Sequence, residues 1–169
     1  MKQNIPNSLT LLRMVLLPPF LLLLLSTSPS ANSWTLALFV LLALSDALDG
    51  IVARALHQTS SFGALFDPIA DKLLMMVALV GLLAKGLISA WPVALILSRE
   101  FLVMGLRMGQ AGKDGKIIAA EWLGKVKAVL QMVAIAAILM NWSIGPTLMW
   151  GAVILTWWSG IDYLLRYGG

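Results

Sequence analysis

Four aspartates dominate the chemistry this chain can do. Asp46, Asp49, Asp67 and Asp71 fall within 26 residues of one another and make up half of the eight acidic residues in the chain. The segments around them are apolar enough to enter a bilayer, where an ionised carboxylate is expensive to hold. Four such groups also repel each other. They persist only where cations or basic side chains neutralise them, or where they line a wet cavity.

Helical spacing decides whether they meet. Counted at 3.6 residues per turn, Asp46, Asp49, Gly50, Ala53 and Arg54 stand at offsets 0, 3, 4, 7 and 8 and form one stripe. Gly63, Asp67 and Asp71 stand at offsets 0, 4 and 8 and form a second. A short polar connection makes the two helices antiparallel neighbours, so the stripes can face each other. The donors are all oxygen, with no Cys and one His in the chain. Such a set suits Mg2+, Mn2+ or Ca2+ rather than Zn2+ or Cu. Four carboxylates have the capacity for two divalent ions about 3.5–4 Å apart, a common arrangement in phosphoryl chemistry. Gly50 and Gly63 clear side chains from the stripes and admit a diphosphate. Arg54, one turn past Gly50, suits phosphate oxygens. On spacing alone the same residues also fit a divalent-cation transporter, or ion pairs with Arg54 and Lys72 that only hold helices together.

The elements that must carry these residues are membrane spans. Of the 169 residues, 60% are hydrophobic and 12% charged, against roughly 25% charged in a soluble domain. Six apolar stretches of about the 20 residues a span needs can be read at 8–27, 33–55, 61–86, 88–110, 119–141 and 145–166. Turn or polar signals separate them: Ser26–Ser30, His57–Ser61, the Lys85-Gly86 boundary, Gly112–Lys116 and Asn141–Pro146. Basic residues gather at the start (Lys2, Arg13), around the second connection (Arg54, Lys72), around the fourth (Arg107, Lys113, Lys116, Lys125, Lys127) and at the end (Arg166). The other connections hold only Lys85. Because Lys and Arg favour the cytoplasmic side, the expectation is an all-α polytopic membrane protein of six transmembrane helices. Both termini are then cytoplasmic, and residues 1–169 form one domain. Trp34, Trp91, Trp122 and Trp142 read as interfacial anchors, and Met75, Met76, Met104 and Met108 as packing residues. Arg13 and the length of the first apolar run argue against a cleaved signal. The scattered basic residues form no nucleic-acid face.

The residues match a specific pattern. Asp46 through Asp71 fit D-x2-D-G-x2-A-R-x8-G-x3-D-x3-D at all eight fixed positions, and the chain thereby resembles the CDP-alcohol phosphatidyltransferase family. Looser segments resemble the phosphatidylglycerophosphate synthases within it: Asn4 to Arg13, Phe66 to Lys72, Ser98 to Phe101, Trp122 to Lys127 and Gln131-Met132. The likeness covers roughly residues 1–135.

The resemblance implies a six-helix fold in the cell membrane, a homodimer, and an active site facing the cytoplasm. The implied reaction joins CDP-diacylglycerol and sn-glycerol 3-phosphate to give phosphatidylglycerophosphate and CMP, with Mg2+ or Mn2+ as cofactor. It assigns Asp46, Asp49, Asp67 and Asp71 as metal ligands and Asp71 as general base. It places Gly50, Ala53, Arg54, Gly63 and Asn7 at the CDP-lipid, with Arg13 also near the nucleotide. An anionic acceptor needs a basic pocket, for which Arg99, Arg107 and Lys125 are the candidates. Arg99 has the alternative of pairing with Glu100. Lys127 and Lys113 read as lipid-facing or solvated, His57 has no role, and Asp162 pairs with Arg166 at i, i+4. The same family pattern leaves other acceptors open: inositol phosphate, phosphatidylglycerol or serine.

Overall fold

The computed structural model of the chain describes the backbone of residues 5–28, 30–56, 61–114 and 122–167, and side-chain surroundings over 12–28, 30–45, 72–106 and 122–165. Six helices follow one another: α1 (Ile5–Leu25), α2 (Ala31–Leu56), α3 (Ser61–Ala84), α4 (Ala90–Asp114), α5 (Trp122–Leu139) and α6 (Gly145–Tyr167). Their bounds follow the apolar runs to within a few residues. The largest departure is α4, which continues through Gly112-Lys113-Asp114 where the sequence suggested a loop. A glycine inside a helix costs only about 1 kcal/mol relative to Ala, too little to stop a helix already under way.

The chain divides by its contacts into two compact units, Met1–Lys85 and Gly86–Gly169. In the first, α1 packs against both α2 and α3 and, among the described residues, is the principal neighbour of each. Phe20 and Phe39 stack at a centroid distance of 6.2 Å. Leu24, Leu42, Leu79 and Leu82 fill the space around them and are fully buried. Gly81 lets α1 approach α3 closely, since a Cβ there would run into the buried Leu24 side chain. Pro18 and Pro19 remove two amide donors inside α1. The α1–α2 connection is tied down by Lys85, whose Nζ donates to the Ser26 carbonyl (3.2 Å) and to Asn32 Oδ1 (2.8 Å). Helix α3 then ends on Gly86, at φ 74°, the left-handed C-terminal stop for which glycine is suited.

In the second unit α6 is central, packing along α5 and against α4. Small buried residues, Ala134, Ala137 and Ala152, bring α5 and α6 together. The corner between them closes α5 with a pair of bonds. Asn141 N donates to Ile138 O (2.9 Å) and Trp142 N to Ala137 O (2.9 Å), while Asn141 takes φ 57°. This is the Schellman pattern with Asn as the left-handed residue. Gly145 then starts α6 against the backbone of Ile138, 3.0 Å from where its Cβ would be.

Among the described residues, Trp122–Leu139 and Gly145–Leu165 are long and apolar enough to cross a membrane. The outward faces suit such a solvent: Leu22, Leu41, Trp91, Trp122, Trp158 and Leu165 are all exposed. Trp34 and Trp142 are exposed near helix ends as well, where an aromatic belt would lie.

Candidate active site

The eight positions that define the aspartate stripes sit where the spacing requires. Asp46, Asp49, Gly50, Ala53 and Arg54 ride on the C-terminal part of α2, and Gly63, Asp67 and Asp71 on the first half of α3. Both segments are helical throughout, so the offsets counted in the sequence are real helical phases. Four residues, 57–60, separate the two helices. The side chains of all these positions lie outside the described residues, as does His57. Among the described residues there is no other group of three or more potential metal ligands. The donor set of the stripes is carboxylate oxygen alone, which fits hard divalent cations.

Asn7 lies in the first turn of α1, with its side chain outside the described set. Arg13, two turns further on, is buried. A cation held there inside an apolar helix is a more unusual feature than its place in the sequence suggested.

The second unit places the basic candidates differently from one another. Lys125 is exposed on α5, and Arg107 lies on α4 with its side chain outside the described residues, as does that of Lys113. Arg99 is buried at 5% exposure. Its Nη1 donates to Glu100 Oε1 at 3.3 Å, so the pairing open to it in the sequence is formed. Its Nη2 donates to Ser159 Oγ at 2.7 Å. Ser159 Oγ in turn donates to the Thr156 carbonyl (3.0 Å), and Gln131 Nε2 donates to Thr156 Oγ1 (2.8 Å). These residues form a polar thread through α4, α5 and α6 in an otherwise apolar unit.

Lys127 corrects the sequence reading. It is neither lipid-facing nor solvated but buried, with its ammonium paired to Glu100. Two residues along a helix turn the side chain by about 200°, so Lys125 and Lys127 face opposite ways. That phase was a signal available in the sequence. The partner, Glu100, stands on another helix, and no local spacing points to it. The Asp162–Arg166 pair falls on a side chain, Arg166, outside the described residues.

Comparison with known proteins adds to this arrangement. The profile of the CDP-alcohol phosphatidyltransferase family matches residues 3–158. The chain belongs to the CDP-alcohol phosphatidyltransferase family. The match runs through both compact units and includes the aspartate stripes and the polar thread up to Thr156. Among the relatives of this phosphatidyltransferase are three bacterial proteins named CDP-diacylglycerol–glycerol-3-phosphate 3-phosphatidyltransferase. That of Bacillus subtilis (strain 168) is 36% identical over 183 residues, covering 96% of this chain and 94% of the relative. Those of Pectobacterium atrosepticum and Escherichia coli (strain K12) are 39% and 38% identical, each covering 97% of this chain and 94% of the relative.

Proposed function

We propose that this phosphatidyltransferase moves the phosphatidyl group of CDP-diacylglycerol to sn-glycerol 3-phosphate, giving phosphatidylglycerophosphate and CMP. One observation carries the reading: the complete eight-position aspartate signature falls on helical α2 and α3, in a chain that aligns almost end to end with relatives named for that reaction.

The reaction is a substitution at the lipid-side phosphorus. The acceptor hydroxyl oxygen forms a new P–O bond, the bond from that phosphorus to the oxygen bridging to CMP breaks, and CMP leaves with the bonding pair. Asp71 takes the hydroxyl proton as the oxygen attacks. Asp46, Asp49, Asp67 and Asp71 hold Mg2+ or Mn2+, two ions per site, which when bound neutralise the diphosphate and the charge that develops on leaving CMP. Gly50, Ala53 and Gly63 keep their stripes low enough for the CDP-lipid, Arg54 pairs with phosphate, and Asn7 lies toward the nucleotide. Arg99, Arg107 and Lys125 recognise the acceptor phosphate.

The protein works in the cell membrane as a homodimer. All six helices span the bilayer, with both termini and the active site on the cytoplasmic side, where a polar acceptor and a membrane-held donor meet. The basic residues favour this orientation. Lys85, the exception on the opposite side, is consumed in bonds to Ser26 and Asn32. The test is CMP release from CDP-diacylglycerol by purified enzyme, with glycerol 3-phosphate, inositol phosphate, phosphatidylglycerol or serine as acceptor. Turnover with glycerol 3-phosphate, lost in EDTA and restored by Mg2+ or Mn2+, is the expected result. Turnover only with another acceptor would move the chain to a different branch of the family. Metal flux through proteoliposomes without CMP release would make it a transporter.

A further inference from the structure

Helix α6 carries a groove that the proposed transfer does not use. The groove measures about 670 Å3 and runs past Ile154, Trp157, Trp158, Ile161, Asp162 and Leu165, in the C-terminal half of the helix. From Ile154 to Leu165 an α-helix rises about 16 Å, close to half of the roughly 30 Å hydrocarbon thickness of a bilayer. Since α6 is long and apolar enough to span, the groove occupies a single leaflet, the one at the C-terminal end of α6. At about 100° per residue, Ile154, Ile161 and Leu165 share one line along the helix, with Trp157 to one side of it and Trp158 and Asp162 to the other. The chain leaves this central line uncovered: Ile154, Ile161 and Leu165 are 63%, 51% and 83% exposed.

Two polar groups distinguish the groove from plain lipid-facing surface. Trp157 is half-buried, and its indole Nε1 is buried with no acceptor among the described residues. An indole N–H can only donate, and a buried one ordinarily finds an acceptor. Inside a bilayer no water supplies it. Asp162 stands five residues further on, about 7.5 Å along the axis toward the headgroups. It already takes part in an interaction within the protein, but a carboxylate has about four lone-pair directions and can accept from a second donor. The groove thus offers a donor at depth, an acceptor nearer the membrane surface and an apolar floor between and below them. That order matches a phospholipid whose headgroup carries an ammonium. Its ester carbonyls lie deeper than the headgroup and accept hydrogen bonds, and its ammonium reaches the level of the carboxylate. A bare hydrocarbon chain would leave Nε1 unsatisfied, and an anionic headgroup would be repelled by Asp162.

We infer that the α6 groove holds one phospholipid with an ammonium headgroup, of the phosphatidylethanolamine class. An ester carbonyl accepts from Trp157 Nε1, the ammonium sits at Asp162, and an acyl chain lies along Ile154, Ile161 and Leu165. This lipid is a bound component of the protein, neither donor nor acceptor of the phosphatidyl group. The inference goes beyond the proposed transfer and rests only on α6 spanning the bilayer.

The experiment is native mass spectrometry of the full-length protein in detergent, titrated with dioleoyl phosphatidylethanolamine or dioleoyl phosphatidylglycerol at equal concentration. The wild type is expected to retain phosphatidylethanolamine about tenfold more tightly than phosphatidylglycerol. Asp162→Asn removes most of that preference. Trp157→Phe keeps an aromatic ring, loses the donor, and weakens phosphatidylethanolamine binding by about two- to tenfold. Ile161→Trp fills the groove from an exposed position, so it folds as the wild type does and retains neither lipid. These last two variants carry the test if Asp162→Asn does not fold. CMP release and KM for CDP-diacylglycerol stay within about twofold of wild type throughout. Equal retention of the two lipids by the wild type, or adducts that no variant weakens, would mean ordinary annular lipid and overturn the inference. Preferred retention of phosphatidylglycerol would overturn it too, assigning the headgroup to Arg166, one turn beyond Asp162. A shift from dimer to monomer in Ile161→Trp would give the face to a second copy, and a raised KM for CDP-diacylglycerol would give it to the donor's acyl chains. A wild-type protein that stays monodisperse in water without detergent removes the span of α6 and this inference with it. A detergent-bound enzyme that releases CMP but shows no lipid preference loses this inference alone.

Discussion

The end of α2 and the start of α3 carry four carboxylates against Arg54 and Lys72, whereas α4 and α5 bury one carboxylate, Glu100, between Arg99 and Lys127. Both regions put charge into apolar helices, and the energetic problem they solve is different. By sequence the aspartate stripes carry four carboxylates against Arg54 and Lys72, and on the proposed reading cations from solution balance the excess. The Glu100 cluster supplies its own counter-charges and hydrogen bonds within one unit. On that reading a like-charged set is a site for a ligand, and removing one of its charges relieves repulsion. A mixed set is part of the fold, and removing one member leaves the others exposed to the cost of burial.

The first way to break this contrast is to neutralise an aspartate. Asp71→Asn is expected to lower kcat by about 10²–10⁴-fold, the usual contribution of a general base. In EDTA its thermal midpoint stays equal to or above that of the wild type, because a repelling charge is gone. CMP release and a thermal scan on the same preparation check both halves. A midpoint several degrees lower in EDTA would mean that Asp71 is paired inside the fold, and the contrast between the regions would dissolve.

Glu100 reverses the sign. Glu100→Leu leaves two buried cations facing each other, and the expected loss is about 3–5 kcal/mol, as for other broken buried pairs. Lys127→Met costs less, because Glu100 keeps Arg99 as a partner at 3.3 Å. Unfolding in mixed micelles measures the order of the two. Equal losses, or a larger one for Lys127→Met, would show that Glu100 is not the shared centre of the cluster.

Gly160→Ala probes the same cluster from α6 without touching a charge. The new methyl would lie 3.0 Å from Arg99 Nε and 3.2 Å from Cγ, and a crowded buried site of this type costs about 1–3 kcal/mol. The comparison is Gly105→Ala, on α4, where nothing lies within 4 Å of the added methyl. That variant should unfold as the wild type does or slightly later. If both behave alike, the Arg99 stem is free to move off α6.

The same contrast explains what could be read without coordinates. The helices were legible because each is a long apolar run and because Ser26–Ser30, Lys85-Gly86 and Asn141–Pro146 are strong stop signals. The aspartate stripes were legible because each lies on one helix, where spacing along the chain is spacing in space. Arg99 was half legible: Glu100 is its sequence neighbour, but Ser159 is 60 residues away. Lys127 was misread because its partner is 27 residues earlier on another helix, and a lone lysine in an apolar segment looks the same whether it snorkels or pairs. Gly112 misled in the other direction, since it is tolerated within α4.

The smallest effect tests the solvent rather than the charges. Gln131 Nε2 donates to Thr156 Oγ1 at 2.8 Å, both residues are buried, and the bond joins α5 to α6. Thr156→Val keeps the shape and removes the acceptor. Between helices in a bilayer such bonds average only about 0.6 kcal/mol, because the separated helices still find partners for their polar groups in the membrane. In a water-soluble bundle the orphaned buried amide would cost about 1–3 kcal/mol. A loss near the lower figure in micelles fits α5 and α6 as spanning helices. A loss of 2 kcal/mol or more, about the range of an unsatisfied buried group in a soluble core, would place the second unit in water and remove half of the contrast on which the proposed topology stands.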